Sequence, residues 1–284
     1  MTRFLTARSL EEACDALAAD AWGAKAIAGG TALVLMMRQG LVNPDTLVSL
    51  GQLEELRGVD IEEPDYLRIG ARTTLSEVAA SPLVRRVAPS LAYACHRVGN
   101  VRVRNVATFG GNVAEADYAS DPPSVLVALD ATCRVQGPAG QRTVAVRDLL
   151  TGFFTTTLEP GELVTDVLVP LPGAADRRSR YHKYISRSSE DRPCVGVAVT
   201  GDFSGAEVTR LAVVVGAVAP VPQRFDHLVS PAIGTTLEPA VRAEIAAAYS
   251  EHIEPMEDAR GSAWYRKQMI EVFVKRALDD LVTP

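Results

Sequence analysis

Two pairs of adjacent glycines, Gly29-Gly30 and Gly110-Gly111, are the residues of this chain best suited to hold a ligand against bare backbone. Ala28 precedes the first pair and Thr31-Ala32-Leu33 follows it; Thr108-Phe109 precedes the second and Asn112 follows it. A glycine has no Cβ to keep an anion away, and the amides that open a helix carry the positive end of its dipole. The first pair lies between a short apolar run (24–28) and a helical pattern, where such a cradle would sit. Taken alone it reads better as a tight strand-to-helix turn, because the spacing departs from G-x-G-x-x-G and no lysine follows as in a P-loop. A second pair changes the weighing. One loop can grip a pyrophosphate from each wall of a crevice, as a dinucleotide with a long polar linker would require. Thr108 and Asn112 add side-chain hydrogen bonds. Asp117 reads as turn chemistry, whereas Asp121, ahead of Pro122 and an apolar helix, is the better acceptor for ribityl or ribose hydroxyls.

Other chemistry finds little support. His96, His182, His227 and His252 form no H-x-x-x-H or H-E-x-x-H pair, so packing or surface roles suit them better than metal ligation. Cys14, Cys95, Cys133 and Cys194 make no C-x-x-C pair; they form no zinc or iron–sulfur motif and point to a reducing compartment. There is no G-x-S-x-G elbow, and Glu62-Glu63 and Asp279-Asp280 read as solvated faces. A cofactor would therefore supply the chemistry and the protein would hold it. The net charge of −6, with no basic block, argues against nucleic acid and anionic membrane. With no apolar leader and no stretch of transmembrane length, the expectation is a soluble cytoplasmic protein. At 284 residues and 47% apolar content the chain can fill one large domain or two modest ones.

The elements that must position these residues follow from pattern. Ser9 with Glu12 is a capping-box signature opening a helix to residue 19. A strand, the first glycine pair, a helix over 31–39 stopped by Gly40, and a strand over 47–50 make a small α/β unit with a parallel pair. Next come a strand (66–71), a capped helix (73–81) and a helical stretch (83–98) broken at Pro89. Residues 124–137 run from a helix or extended apolar segment into a strand, which a turn at Pro138 joins to a partner strand, 141–146. The polar segment 172–180 is the candidate domain boundary. Beyond it YHKYI, CVGVAVTGDF and EVTRLAVVVGAVA predict three antiparallel strands, then two helices. In the last helix Ile270, Phe273, Val274, Ala277, Leu278 and Leu281 share one face.

The stretches AIAGGTALVLMM (26–37), VRVRNVATFGGNVAEADYASDPPSVLVALDAT (101–132) and FTTTLEPGELVTDVLVP (154–170) resemble the FAD-binding medium subunit of molybdenum hydroxylases. That group includes the carbon monoxide dehydrogenase medium chain and bacterial xanthine dehydrogenase flavin subunits. YHKYISRSSEDRPCVGVAV (181–199) and GSAWYRKQMIEVFVKRAL (261–278) extend the resemblance over nearly the whole chain. It implies an α+β architecture: a two-subdomain flavin fold of the vanillyl-alcohol-oxidase (PCMH) type over 1–173, divided into 1–55 and 56–173. A C-terminal domain over 177–284 would carry a three-stranded antiparallel sheet with a helical bundle. It implies FAD as cofactor, held by Ala28, Gly29, Gly30, Thr31, Ala32 and Leu33 in one diphosphate loop and Thr108, Phe109, Gly110, Gly111 and Asn112 in the other. Asp121 and Lys183 would lie at the flavin and Val164 would line the ring system. No catalytic side chain and no metal ligand is expected on this chain.

The chain departs from the family at Thr31 and Ala32, where a His or Gln and a hydroxyl residue are frequent, and at Arg192, where some members place an aromatic ring near the flavin. The resemblance implies an electron relay in which a large molybdenum-cofactor subunit oxidises substrate, a small subunit with 2Fe–2S clusters passes electrons, and this chain delivers them to an external acceptor. The assembly implied is a dimer of heterotrimers. The alternatives are a stand-alone flavin oxidoreductase of the same fold and a module that has lost its cofactor.

Overall fold

The computed structural model describes residues 2–173, 176–188 and 190–283. Its first unit runs β1 (Arg3–Thr6), α1 (Leu10–Ala18), β2 (Ala24–Ile27), α2 (Leu33–Arg38) and β3 (Thr46–Ser49). The strands form a parallel sheet in the order β1-β3-β2, so the expected pair gains a third, terminal strand too short to show a period. The Ser9 hydroxyl accepts from the Glu12 amide at 3.1 Å, but the Glu12 carboxylate returns to the Arg8 amide, at 2.8 Å, and not to Ser9. The expected capping box is therefore displaced by one residue. Gly40 takes φ +71° and ends the turn after α2, as a left-handed residue there must.

The second unit opens with β4 (Val59–Glu62) and β5 (Tyr66–Gly70), then a run of helices: α3 (Leu75–Ala80), α4 (Pro82–Val87), α5 (Pro89–Arg97), α6 (Val101–Arg104), α7 (Phe109–Glu115) and α8 (Asp121–Ala128). β6 (Thr132–Gly137), β7 (Gly140–Ala145), α9 (Val146–Leu149), β8 (Leu150–Gly152), β9 (Thr155–Thr156) and β10 (Leu163–Pro170) complete it. The main sheet is antiparallel in the order β4-β5-β10-β6-β7. A full capping box, Thr74 with Glu77, starts α3. α4 and α5 each start on a proline, whose missing amide would have been unsatisfied there in any case. Every residue of α8, Asp121 included, is buried.

The third unit is an antiparallel sheet of β11 (Asp176–Tyr184), β12 (Val195–Ser204), β13 (Glu207–Gly216) and the two-residue β14 (Gln223–Arg224), followed by α10 (Asp226–Val229), α11 (Pro239–His252) and α12 (Ala263–Val282). The short β14 joins the three strands expected. One face of the sheet shares a core with α5 and α8, through Tyr181, Ala198 and Val214; the other packs against α11 and α12. Burial on both faces explains why β12 and β13 read as apolar runs. On α12 Ile270, Val274, Ala277, Leu278 and Leu281 are buried, with the partly buried Phe273 beside them. The expected boundary at 172–180 falls partly on residues 174 and 175, which lie outside the described residues, and its second half is already strand in β11.

Candidate functional site

The turn from β2 into α2 carries the first glycine pair. Gly30 takes φ +67°, which a side chain would strain, and a Cβ on Gly29 would collide with the Val106 carbonyl. With the backbone held so, the amides of residues 29–33 have no hydrogen-bond partner among the described residues. A row of unpaired N–H groups facing a cleft is an anion cradle.

The second pair behaves differently. The segment after Thr108 is the first turn of α7 and not a loop, and its leading amides are already engaged. Phe109 N–H donates to the Thr73 carbonyl and Gly110 N–H to the Ala71 carbonyl, each at 2.8 Å. The two pairs thus differ: the first offers free amides, while the second is fastened to the segment that follows β5 and brings Gly111 to the cleft. Phe109 is fully buried in the core and lines no part of the cleft. Its aromatic side chain fills the interior beneath α7.

Two adjoining hollows, about 520 Å³ and 410 Å³, share Ala28, Leu33, Thr108 and Gly111 in their walls. Each is of the size that holds a small ligand. The first also gathers Gly29, Gly30, Thr31, Ala32, Asn112, Asp121 and Lys183. The second holds Gly110, Val164 and Arg72. Thus every expected site residue except Phe109 meets the cleft.

Asp121 does not offer free oxygens to hydroxyls, as the sequence suggested. Its Oδ1 accepts from the Tyr181 hydroxyl at 2.6 Å and its Oδ2 from Lys183 Nζ at 2.8 Å. Lys183 Nζ donates again, to the Arg97 carbonyl at 2.8 Å. Burial raises the Asp121 carboxyl above its ordinary range, against the opposing pull of Lys183 and Tyr181. Burial, then the charge of Asp121, pushes the Tyr181 phenol well above its usual value. Sequence reasoning passed over Tyr181, although the two-residue period of a strand puts it on the same face as Lys183.

At the mouth, Asp117 makes the turn expected of it, accepting the Ala119 amide at 3.1 Å, and also pairs with Arg192 at 2.6 Å. Arg192 therefore bridges the cleft edge. Burial and Asp117 raise the Glu115 carboxyl, with Arg192 opposing. The Asn112 amide binds the Ser120 hydroxyl at 2.8 Å, stitching the ends of this segment together. No group of His, Cys, Asp and Glu able to hold a metal occurs among the described residues, and none of the helices described there is long and apolar enough to cross a membrane.

Comparison with known families matches residues 1–172 to the FAD binding domain in molybdopterin dehydrogenase and residues 180–281 to the CO dehydrogenase flavoprotein C-terminal domain. The chain belongs to the FAD-binding medium subunits of molybdenum hydroxylases. Among such medium subunits, the glyceraldehyde dehydrogenase medium chain of Sulfolobus acidocaldarius is 31% identical over 278 residues, spanning 98% of this chain and 97% of the relative. The carbon monoxide dehydrogenase medium chain of Hydrogenophaga pseudoflava is 33% identical over 257 residues, with 90% and 88% covered. The solved carbon monoxide dehydrogenase from Hydrogenophaga pseudoflava that lacks the Mo-pyranopterin moiety superposes with a TM-score of 0.94 at 32% identity, covering 99% and 96%. The quinoline 2-oxidoreductase from Pseudomonas putida 86 gives 0.92 at 27% identity, covering 99% and 97%. This medium subunit accordingly has the flavin fold anticipated, takes FAD and is part of an oxidoreductase. The free amides, the side-chain-free backbone at Gly30 and Gly111, and the paired hollows fit a dinucleotide.

Proposed function

We propose that this medium subunit is the FAD-carrying relay of a heteromeric molybdenum hydroxylase, receiving electrons from 2Fe–2S clusters on a small subunit and passing them to an external acceptor. The observation that carries the reading is the row of unpartnered amides over 29–33, in residues that line a two-part cleft. Bound FAD supplies the redox chemistry. The chain's own residues bind and orient: amides of 29–33 take the diphosphate, Gly111 leaves room for it, and Lys183 and Val164 border the remainder of the cofactor. Asp121 acts through Lys183, and the Asp117–Arg192 pair limits access at the mouth. A large molybdenum subunit and the iron–sulfur subunit complete the complex, as a dimer of heterotrimers in the cytoplasm. The division at residues 173–177 between flavin domain and C-terminal domain belongs to the same reading.

Purification of the native complex, with its chains and metals identified, tests the assignment. Flavin released from this chain by heat is expected to chromatograph as FAD, with molybdenum and iron on other chains. FMN in the supernatant, or a complex without those metals, would contradict it.

A further inference from the structure

We propose that Tyr181 is a positioning residue of the flavin site: acting through Asp121, it fixes the Lys183 ammonium as a directed donor at the floor of the cleft. This rests on the reading above that the cleft takes FAD. Lys183 has three N–H bonds. Two are directed at the Arg97 carbonyl and Asp121 Oδ2, and the side chain is only 1% exposed, so the remaining one has little water to turn to. What holds the arrangement is the orientation of Asp121, whose carboxylate is 3% exposed and, among the described residues, receives one side-chain donor on each oxygen. Tyr181 is one of those donors. It stands two residues before Lys183 on β11, so one strand face presents both groups to the same carboxylate.

Removing the Tyr181 hydroxyl would leave a buried carboxylate oxygen without its donor. A carboxylate so placed turns to a new partner or takes up a proton, and either change loosens its hold on Lys183. Other ionisable groups in the surroundings do not replace Tyr181. On α5, Arg97 acts on Asp121 and Tyr181 through its charge, Cys95 feels the Asp121 charge and Tyr93 lies near Tyr181. Arg210 of β13 engages the far end of α8, at the Ala128 carbonyl and Asp130. Glu115 of α7 has Asp117 and Arg192 as its charged neighbours. His182, between the two residues in sequence, points the other way, to Asp280. An ammonium held at a cleft wall favours the more electron-rich state of whatever ring binds there, so Tyr181 would raise the cofactor's midpoint potential at one remove.

The test uses the full-length chain, with and without FAD. In the apo chain, infrared titration follows the protonated Asp121 carboxyl, identified by its absence in Asp121→Asn. In Tyr181→Phe that band should appear at a higher pH than in wild type. In the FAD-loaded chain, Tyr181→Phe should weaken FAD binding about tenfold and lower the midpoint potential. In a Lys183→Met background the same change should alter binding less than about twofold and leave the potential unmoved. Asp121→Asn, which breaks the link with Tyr181 intact, should shift the potential in the same direction; it decides the matter if Tyr181→Phe does not fold. An unmoved infrared band, or equal effects of Tyr181→Phe with and without Lys183, would overturn the proposal. A wild-type chain that binds no FAD would refute the functional reading instead, with the infrared arm still deciding whether Tyr181 controls Asp121.

Discussion

A Cβ added at Gly110 would run into Ala71 in the core, whereas one added at Gly111 would meet the Thr108 hydroxyl at 2.6 Å, beside the cleft. The hydroxyl can rotate away; the packed core cannot. Adjacent glycines that look equivalent in the sequence therefore have different duties, one in packing and one in leaving ligand space. Gly111→Val is expected to give a folded chain with FAD binding weakened more than about tenfold. Gly110→Val should lose about 2 kcal/mol or more of stability through overpacking. Urea unfolding with the visible-to-ultraviolet absorbance ratio of the purified proteins separates the two. A folded, fully yellow Gly111→Val would show that the second glycine is a turn residue only. The glycine pairs were noticeable because small residues need no neighbours to stand out, whereas Lys183 was singled out only through the family resemblance. The engagement of Asp121 by Tyr181 was not legible, since it spans 60 positions of sequence and depends on how β11 crosses α8.

Among the elements, α12 is tied to the rest of its unit by a fully buried arginine. Arg266 donates to Asp258 Oδ1 at 2.6 Å and to the Ala217 carbonyl at the end of β13, while Arg260 pairs with the other Asp258 oxygen at 2.8 Å. Burial alone would raise the Asp258 carboxyl, but the Arg260 amide and the Arg266 and Arg260 guanidinium groups hold it below the ordinary carboxylate range. Asp258→Asn would leave the Arg266 charge buried with no counter-charge, costing about 3 kcal/mol at neutral pH. Since the folded Asp258 titrates below its unfolded value, its contribution is complete above a pKa of about 3.9 and fades as pH falls through the folded value. The stability gap between wild type and Asp258→Asn should thus be constant from pH 8 to about 5 and narrow below that. A gap that widens on acidification would contradict the ion-pair account. Periodicity and capping revealed α1, α3, α5 and α12, where local signals and tertiary packing agree, and also α2, none of whose residues is buried. They missed β1, β4 and β14, which are short, and α7, whose glycines read as a loop because helix propensity gave no sign that Thr73 and Ala71 would anchor its first amides.

Across the whole molecule, the third sheet is inserted between the helices of the flavin-binding region and its own helical layer, and Asp130 after α8 pairs with both Arg210 and Arg224. The cleft thus has walls from both sides: Lys183 comes from β11 and the two glycine pairs from the first two units. This arrangement explains why composition and polarity could suggest a linker near 172–180 while the strand that delivers Lys183 begins inside it. A relay also needs a partner surface, and a permanent one should bury on the order of 2,000 Å² in total. The central claim is that electrons reach this chain from another subunit. Its most direct test is stopped-flow bleaching of the bound flavin by the substrate of the native complex, with the FAD-loaded chain alone and after adding the iron–sulfur and molybdenum subunits. The relay account predicts slow or no bleaching alone and rapid bleaching with the partners present. Rapid bleaching of the lone chain, at a rate the partners do not change, would mean a self-sufficient flavoenzyme and would contradict it.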